Sequence, residues 1–103
     1  MIKDVICIDG NFSEEAKKRY KEYGVVWPEQ DKMYSIREVI KTTTGETGLL
    51  LEELVNPKMP ILHPILGSVE YEPNWHIRRF STLQGDAITR ETLGEIIKQS
   101  IKI

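Results

Sequence analysis

One cysteine, Cys7, stands in the 103 residues. No disulfide can form within the chain, and a reducing, intracellular setting is expected. Long apolar runs are missing as well. The opening MIKDVICIDG holds a short apolar run, Val5 to Ile8, with an aspartate on either side. That is too short and too acidic for a signal peptide or a membrane span, so a cytoplasmic chain with no membrane partner is expected. Charge of one sign is not in excess either: 14 Lys and Arg face 16 Asp and Glu, for a net charge of −2. Proteins whose main task is gripping nucleic acid usually carry a basic stripe, and this balance argues against that class while leaving a local basic patch open. Internal repeats and low-complexity segments are also lacking.

What remains is the composition of an ordinary globular chain, 40% apolar and 29% charged. Residues 1–103 are expected to form one domain. DVICIDG reads as a first strand, apolar on both faces and therefore expected to be buried on both. NFSEEAKKRYKEYG carries helix signals at each end, predicting an inserted helix over about 13–23. Asn11 or Ser13 can cap it, Glu14 and Glu15 suit its first turn, and Gly24 suits its exit. Its stripe of Phe12, Ala16, Tyr20 and Tyr23 is narrow, as in a surface helix leaning on a core. VVW at 25–27 reads as a short strand cut off by Pro28. In KMYSIREVI the apolar positions change parity between Ile36 and Val39, which predicts a bulge near Arg37-Glu38 or a strand covered on both faces. KTTTGETG is a polar turn, and 49–55 is either the return strand of a hairpin or a short helix. TRETLGEIIKQSIKI predicts a C-terminal helix over 89–101, capped by Thr89 and striped by Leu93, Ile96, Ile97 and Ile101; it packs on the rest or joins an oligomer. Short strands with an inserted and a terminal helix predict a mainly β fold, an SH3-like barrel of about five strands over 4–83.

The segment NPKMPILHPILG, 56–67, holds three prolines beside Met59, Ile61, Leu62, Ile65 and Leu66. Pro57, Pro60 and Pro64 exclude a helix or a central strand, so a loop is expected. Loops are normally polar. An apolar one either folds across an open end of the barrel, plugging it with Ile61, Leu62 and Ile65, or lies exposed for a partner or a second copy.

Four motifs in order, VICID at 5–9, YSIREV at 34–39, GLLLEELVNP at 48–57 and EPNWHIRRFSTL at 72–83, resemble a group of small uncharacterised proteins encoded by bacterial phages and prophages. That group shows a Cys-Ile-Asp strand, a Tyr-x-Val/Ile-Arg-Glu segment, a Gly-Leu-Leu-Leu-Glu-Glu segment with Asn-Pro, and a closing Glu-Pro-x-aromatic…Arg-Phe. This chain departs from it in reading DKM where a glycine precedes the Tyr segment, and in both helices. The resemblance implies a barrel-like fold and a phage or prophage origin, and it brings no catalytic residues.

No constellation for catalysis emerges from the residues themselves. Cys7 lies in the most apolar strand, where a thiol's pKa rises and its reactivity falls. His63 and His76 stand in no nucleophile elbow, and no CxxC or HxxxH spacing supports a metal. Glu52 and Glu53 would point to opposite faces of a strand, and Thr42 to Gly48 lacks the lysine of a phosphate loop. In WHIRRF the apolar series changes parity at Arg78-Arg79, as at a bulge or a short turn. Trp75, His76, Arg78 and Arg79 either form a binding patch or divide plainly, with Trp75 and Phe80 in the core and the arginines paired with acids such as Glu70 or Glu72. The resulting expectation is a non-enzymatic protein-interaction or structural module without catalytic residues, metal or cofactor. Its contact residues would be Trp75, His76, Arg78, Arg79, Met59, Ile61 and Leu62, and its partner a protein or a second copy. A weak nucleic-acid-binding protein using Trp75 and the two arginines is the alternative.

Overall fold

A computed structural model describes residues 3–41, 45–63, 65–89, 93 and 101–102, with the side chains of 61–63 and 101–102 outside the description. In chain order the elements are β1 (Asp4–Cys7), α1 (Glu14–Tyr23), β2 (Met33–Lys41), β3 (Thr47–Leu51), β4 (Met59–His63), β5 (Gly67–Tyr71), β6 (Trp75–His76), a 3-10 turn (Ile77–Arg79), β7 (Phe80–Ser81) and β8 (Ile101–Lys102). The protein is mainly β.

The main sheet runs β6-β3-β2-β1-β7, antiparallel throughout, with β8 added parallel to the far end of β2. Its end strands β6 and β7 are neighbours in sequence, joined by the 3-10 turn. No ladder pairs them among the described residues, so the sheet is open and not hydrogen-bonded into a closed ring. Alternation decides what each strand buries. On β1, Val5 and Cys7 point inward; Ile6 is half-buried and Ile8, just beyond, is exposed, so only one face is covered. On β2, Tyr34 and Ile36 face the core, and the register against β3 then shifts between Ile36 and Glu38. The extra residue returns Val39 to the core side, as the parity of the sequence requires. β3 settles the ambiguity over 49–55: it is a strand, but it ends at Leu51.

The core gathers Val5, Cys7, Tyr34, Ile36, Val39, Leu49, Leu51, Trp75 and Phe80 from the sheet, with Phe12, Val25, Met59, Ile88 and Leu93 around them. The expected strand at 25–27 does not form. Val25 donates its N–H to the Tyr20 carbonyl at the end of α1 (2.8 Å), and both backbone groups of Val26 pair with the Asn56 carboxamide at 2.8 and 2.9 Å. A side chain thus satisfies the donor and acceptor that a neighbouring strand would otherwise take.

The middle of the proline-rich segment is a strand and not a loop. Met59–His63 pairs antiparallel with Gly67–Tyr71 in a separate two-stranded sheet, Pro60 lying opposite Glu70. In a two-stranded ladder every strand is an edge, which is where proline is tolerated. Gly67 turns at φ 76°, a value that favours glycine. Ile65 is 84% exposed at the hairpin tip, so it plugs nothing. The C-terminal helix falls largely outside the described residues, Ile96 and Ile97 with it. Leu93 is helical, fully buried, and donates to the Thr89 carbonyl (3.1 Å), whereas Ile101 belongs to β8 and not to a helix. No helix among the described residues is long and apolar enough to cross a membrane.

Gly48 on β3 is packed by the Asn74 side chain, whose Oδ1 lies 1.8 Å and Cγ 2.7 Å from where a Cβ would stand. Gly48→Ala is expected to destabilise by about 1–3 kcal/mol, the range for overpacking a filled site. Urea unfolding of Gly48→Ala with and without Asn74→Ala checks this, and the double variant should recover part of the loss.

Candidate functional site

α1 begins at the Ser13 cap, whose hydroxyl accepts from the Ala16 N–H (3.1 Å), and ends at Gly24 with φ 73°. Ser13 is one of the two caps that the sequence offers, and Gly24 is the exit that it predicts. None of its residues is fully buried, so one flank stays open. Spacing of i, i+3 and i+4 puts Ala16, Arg19 and Tyr20 on that flank together. Met59 and Pro60 of β4, with Pro73 and Asn74 between β5 and β6, form the opposing wall. The space between is a groove of about 360 Å³. Arg19 spans it, its guanidinium donating to the Pro60 carbonyl at 2.5 Å, while its carbon stands 5.9 Å from the Tyr23 ring.

Tyr20 anchors the helix wall. Its ring packs edge-on against Trp75 (centroids 5.5 Å, 75°) and Phe12 (5.9 Å, 81°), and tilted against Trp27 (5.9 Å). Burial pushes the Tyr20 phenol above its ordinary pKa, with Arg79 and Arg19 pulling weakly the other way. Phe12 completes the cluster by standing edge-on to Trp75 at 5.6 Å. Trp75 Nε1 is buried and has no hydrogen-bond partner among the described residues.

The residues singled out in the sequence do not converge on one surface. Trp75 is 2% exposed, in the core, and offers no face to a nucleic-acid base. His76 is half-buried, and its Nδ1 accepts from the Arg78 N–H (3.1 Å) at the start of the 3-10 turn that the parity change predicts. Arg78 is exposed. Arg79 folds inward instead: its guanidinium carbon is 3.9 Å from the Phe12 centroid, it donates to the Asp9 and Asn11 carbonyls at 3.1 and 3.2 Å, and it stands 3.5 Å from the Asp9 carboxylate. Its acidic partner is thus Asp9, while Glu72 holds Arg37 at 2.5 Å. Met59 is buried, not presented to solvent, although it reaches the groove wall. Ile61 and Leu62 lie on β4 with side chains outside the description, as does His63. Among the described residues, no three His, Cys, Asp or Glu side chains are placed to share a metal ion.

Arg19, Tyr20, Pro73 and Asn74 were not legible as site residues. A signal existed in Arg19, which adjoins the Ala16, Tyr20, Tyr23 stripe at helical spacing and so borders whatever the stripe packs against. Its counterpart wall comes from forty or more residues further on and has no local signature.

Compared with known proteins, the chain matches no family model, no curated protein and no solved structure.

Two kinds of buried acid make stability fall in alkali. Burial raises the Cys7 thiol above its ordinary 9.0, and it raises the Tyr34 and Tyr20 phenols above their ordinary 10.0. The unfolded chain therefore loses these protons first as pH rises, binds fewer than the folded one, and gains stability relative to it. Thermal unfolding should show Tm constant up to about pH 8.5 and falling beyond it, with Cys7→Ala delaying the onset toward the phenol range.

Proposed function

We propose that this chain is a non-enzymatic protein-interaction module whose contact site is the groove between α1 and the β4–β5 hairpin. The observation that carries the reading is the groove's lining. Ala16, Met59, Pro60, Pro73 and the Tyr20 ring supply apolar walls, and Arg19 and Asn74 supply the polar groups. A concave, mostly apolar site with a few placed polar groups is the usual form of a recognition pocket. At about 360 Å³ it accepts one or two side chains of an extended segment. The non-enzymatic part draws support from Cys7, buried and with its thiol held above the ordinary pKa, and from His76, whose Nδ1 is taken up by the 3-10 turn. A phage or prophage origin belongs to this reading through the order of the four sequence motifs.

Peptide-display selection on the immobilised chain tests the site. Enriched peptides are expected to bind Ala16→Trp, which fills the groove from the helix side, at least tenfold more weakly than the wild type. Their affinity for Gln84→Ala, changed at an exposed turn, should be unaltered. Peptides that bind Ala16→Trp as well as the wild type would remove the groove from the reading. Turnover of a substrate, lost on Cys7→Ala or His76→Ala in a folded variant, would end the non-enzymatic assignment.

A further inference from the structure

We infer that the segment received by the groove is acidic: an extended peptide that sets an apolar side chain between Tyr20, Met59 and the prolines and a carboxylate beside it on Arg19. The inference rests on the groove being the contact site. Among the described residues of the lining, Arg19 is the one charged residue and none is a carboxylate. Of the other described arginines, Arg37 is committed to Glu72 and Arg79 to Asp9, and Arg78 is exposed on the 3-10 turn away from the groove lining. None of the ion pairs among the described residues includes Arg19, although Glu15 and Glu22 sit at helical spacing from it.

Geometry adds to charge. The Arg19–Pro60 hydrogen bond holds the guanidinium across the groove and uses one of its amino groups, leaving further N–H donors of the fork for a ligand. Guanidinium matches a carboxylate in planar, two-point fashion, and a side chain already held in place loses less freedom on binding. The neighbouring Tyr23 ring, 5.9 Å away, backs the cation without neutralising it. An acidic residue next to an apolar one therefore satisfies both parts of the lining, whereas a basic residue at that point meets a like charge.

The test uses two displayed nonapeptide libraries, identical except for one fixed position, Glu or Lys, two residues from a fixed leucine. They are selected against the wild type, Arg19→Gln and Arg19→Glu, each variant first shown to unfold within a few degrees of wild-type Tm. The Glu library is expected to enrich at least tenfold over the Lys library on the wild type. That preference should vanish on Arg19→Gln and reverse on Arg19→Glu. Equal enrichment of both libraries, or a Glu preference that survives Arg19→Glu, overturns the acidic partner; if the same peptides still lose binding to Ala16→Trp, the groove remains the contact site. No enrichment of either library, or binders indifferent to Ala16→Trp, overturns both readings. A dimer of the chain that Ala16→Trp converts to monomer would put a second copy in the groove and overturn the peptide occupant.

Discussion

The edge-on packing of Phe12 and Tyr20 against Trp75 positions everything on the groove side of the molecule. α1 buries no residue fully, so its place over the sheet depends on these rings and on Trp27. Such pairs contribute about 0.5–1.5 kcal/mol each beyond the apolar area they cover. Trp75 is in turn fixed by β6, where it lies opposite Leu49 of β3. The chain of support therefore runs from the sheet through Trp75 to Tyr20, and from Tyr20 to its neighbour Arg19. Arg79 closes the cluster from the other direction, its guanidinium over the Phe12 face while its N–H groups hold the carbonyls on which the chain leaves β1.

Polar groups do the corresponding work where strands are absent. Glu72 accepts from the Arg37 guanidinium at 2.5 Å and from the Asn56 N–H at 3.0 Å, and Asn56 in turn pairs with Val26. One carboxylate and one carboxamide thus bind together β2, the stretch after β3, the stretch after α1 and the approach to β6. Both side chains of the Arg37–Glu72 pair are largely shielded, which makes losing one partner far more costly than losing an exposed pair. That network sets Pro73 and Asn74, the two residues that follow Glu72, against the hairpin to make the second wall of the groove.

Much of the architecture is readable from residue order alone, because it depends on near neighbours. The Ser13 cap, the Gly24 exit, the bulge at Arg37 and the short turn within WHIRRF each follow from a local pattern of capping groups or of side-chain parity. Misreadings arose where a distant partner overrides local preference. VVW has strand-forming side chains but finds the Asn56 carboxamide, thirty residues away, in place of a strand. Pro60 does exclude a central strand, yet it is compatible with an isolated ribbon once 67–71 supplies the partner.

The sequence by itself determined the mainly β class, the helix and both its ends, the burial of Cys7 and the parity changes in β2 and before β7. These depend on periodicities of two and 3.6 residues and on terminal hydrogen bonds within a few residues of one another. Only the tertiary structure decided which aromatic became the hidden support and which arginine stayed available. WHIRRF leaves Trp75 and Arg79 open between a surface patch and a core residue with a paired arginine; the core claims the first, and Phe12 with Asp9 claims the second. Among the described residues Arg19 has no ion pair, because the lining of the hairpin wall offers it a carbonyl and no carboxylate. Burial and pairing are properties of segments brought together from far along the chain, and no local window contains both partners.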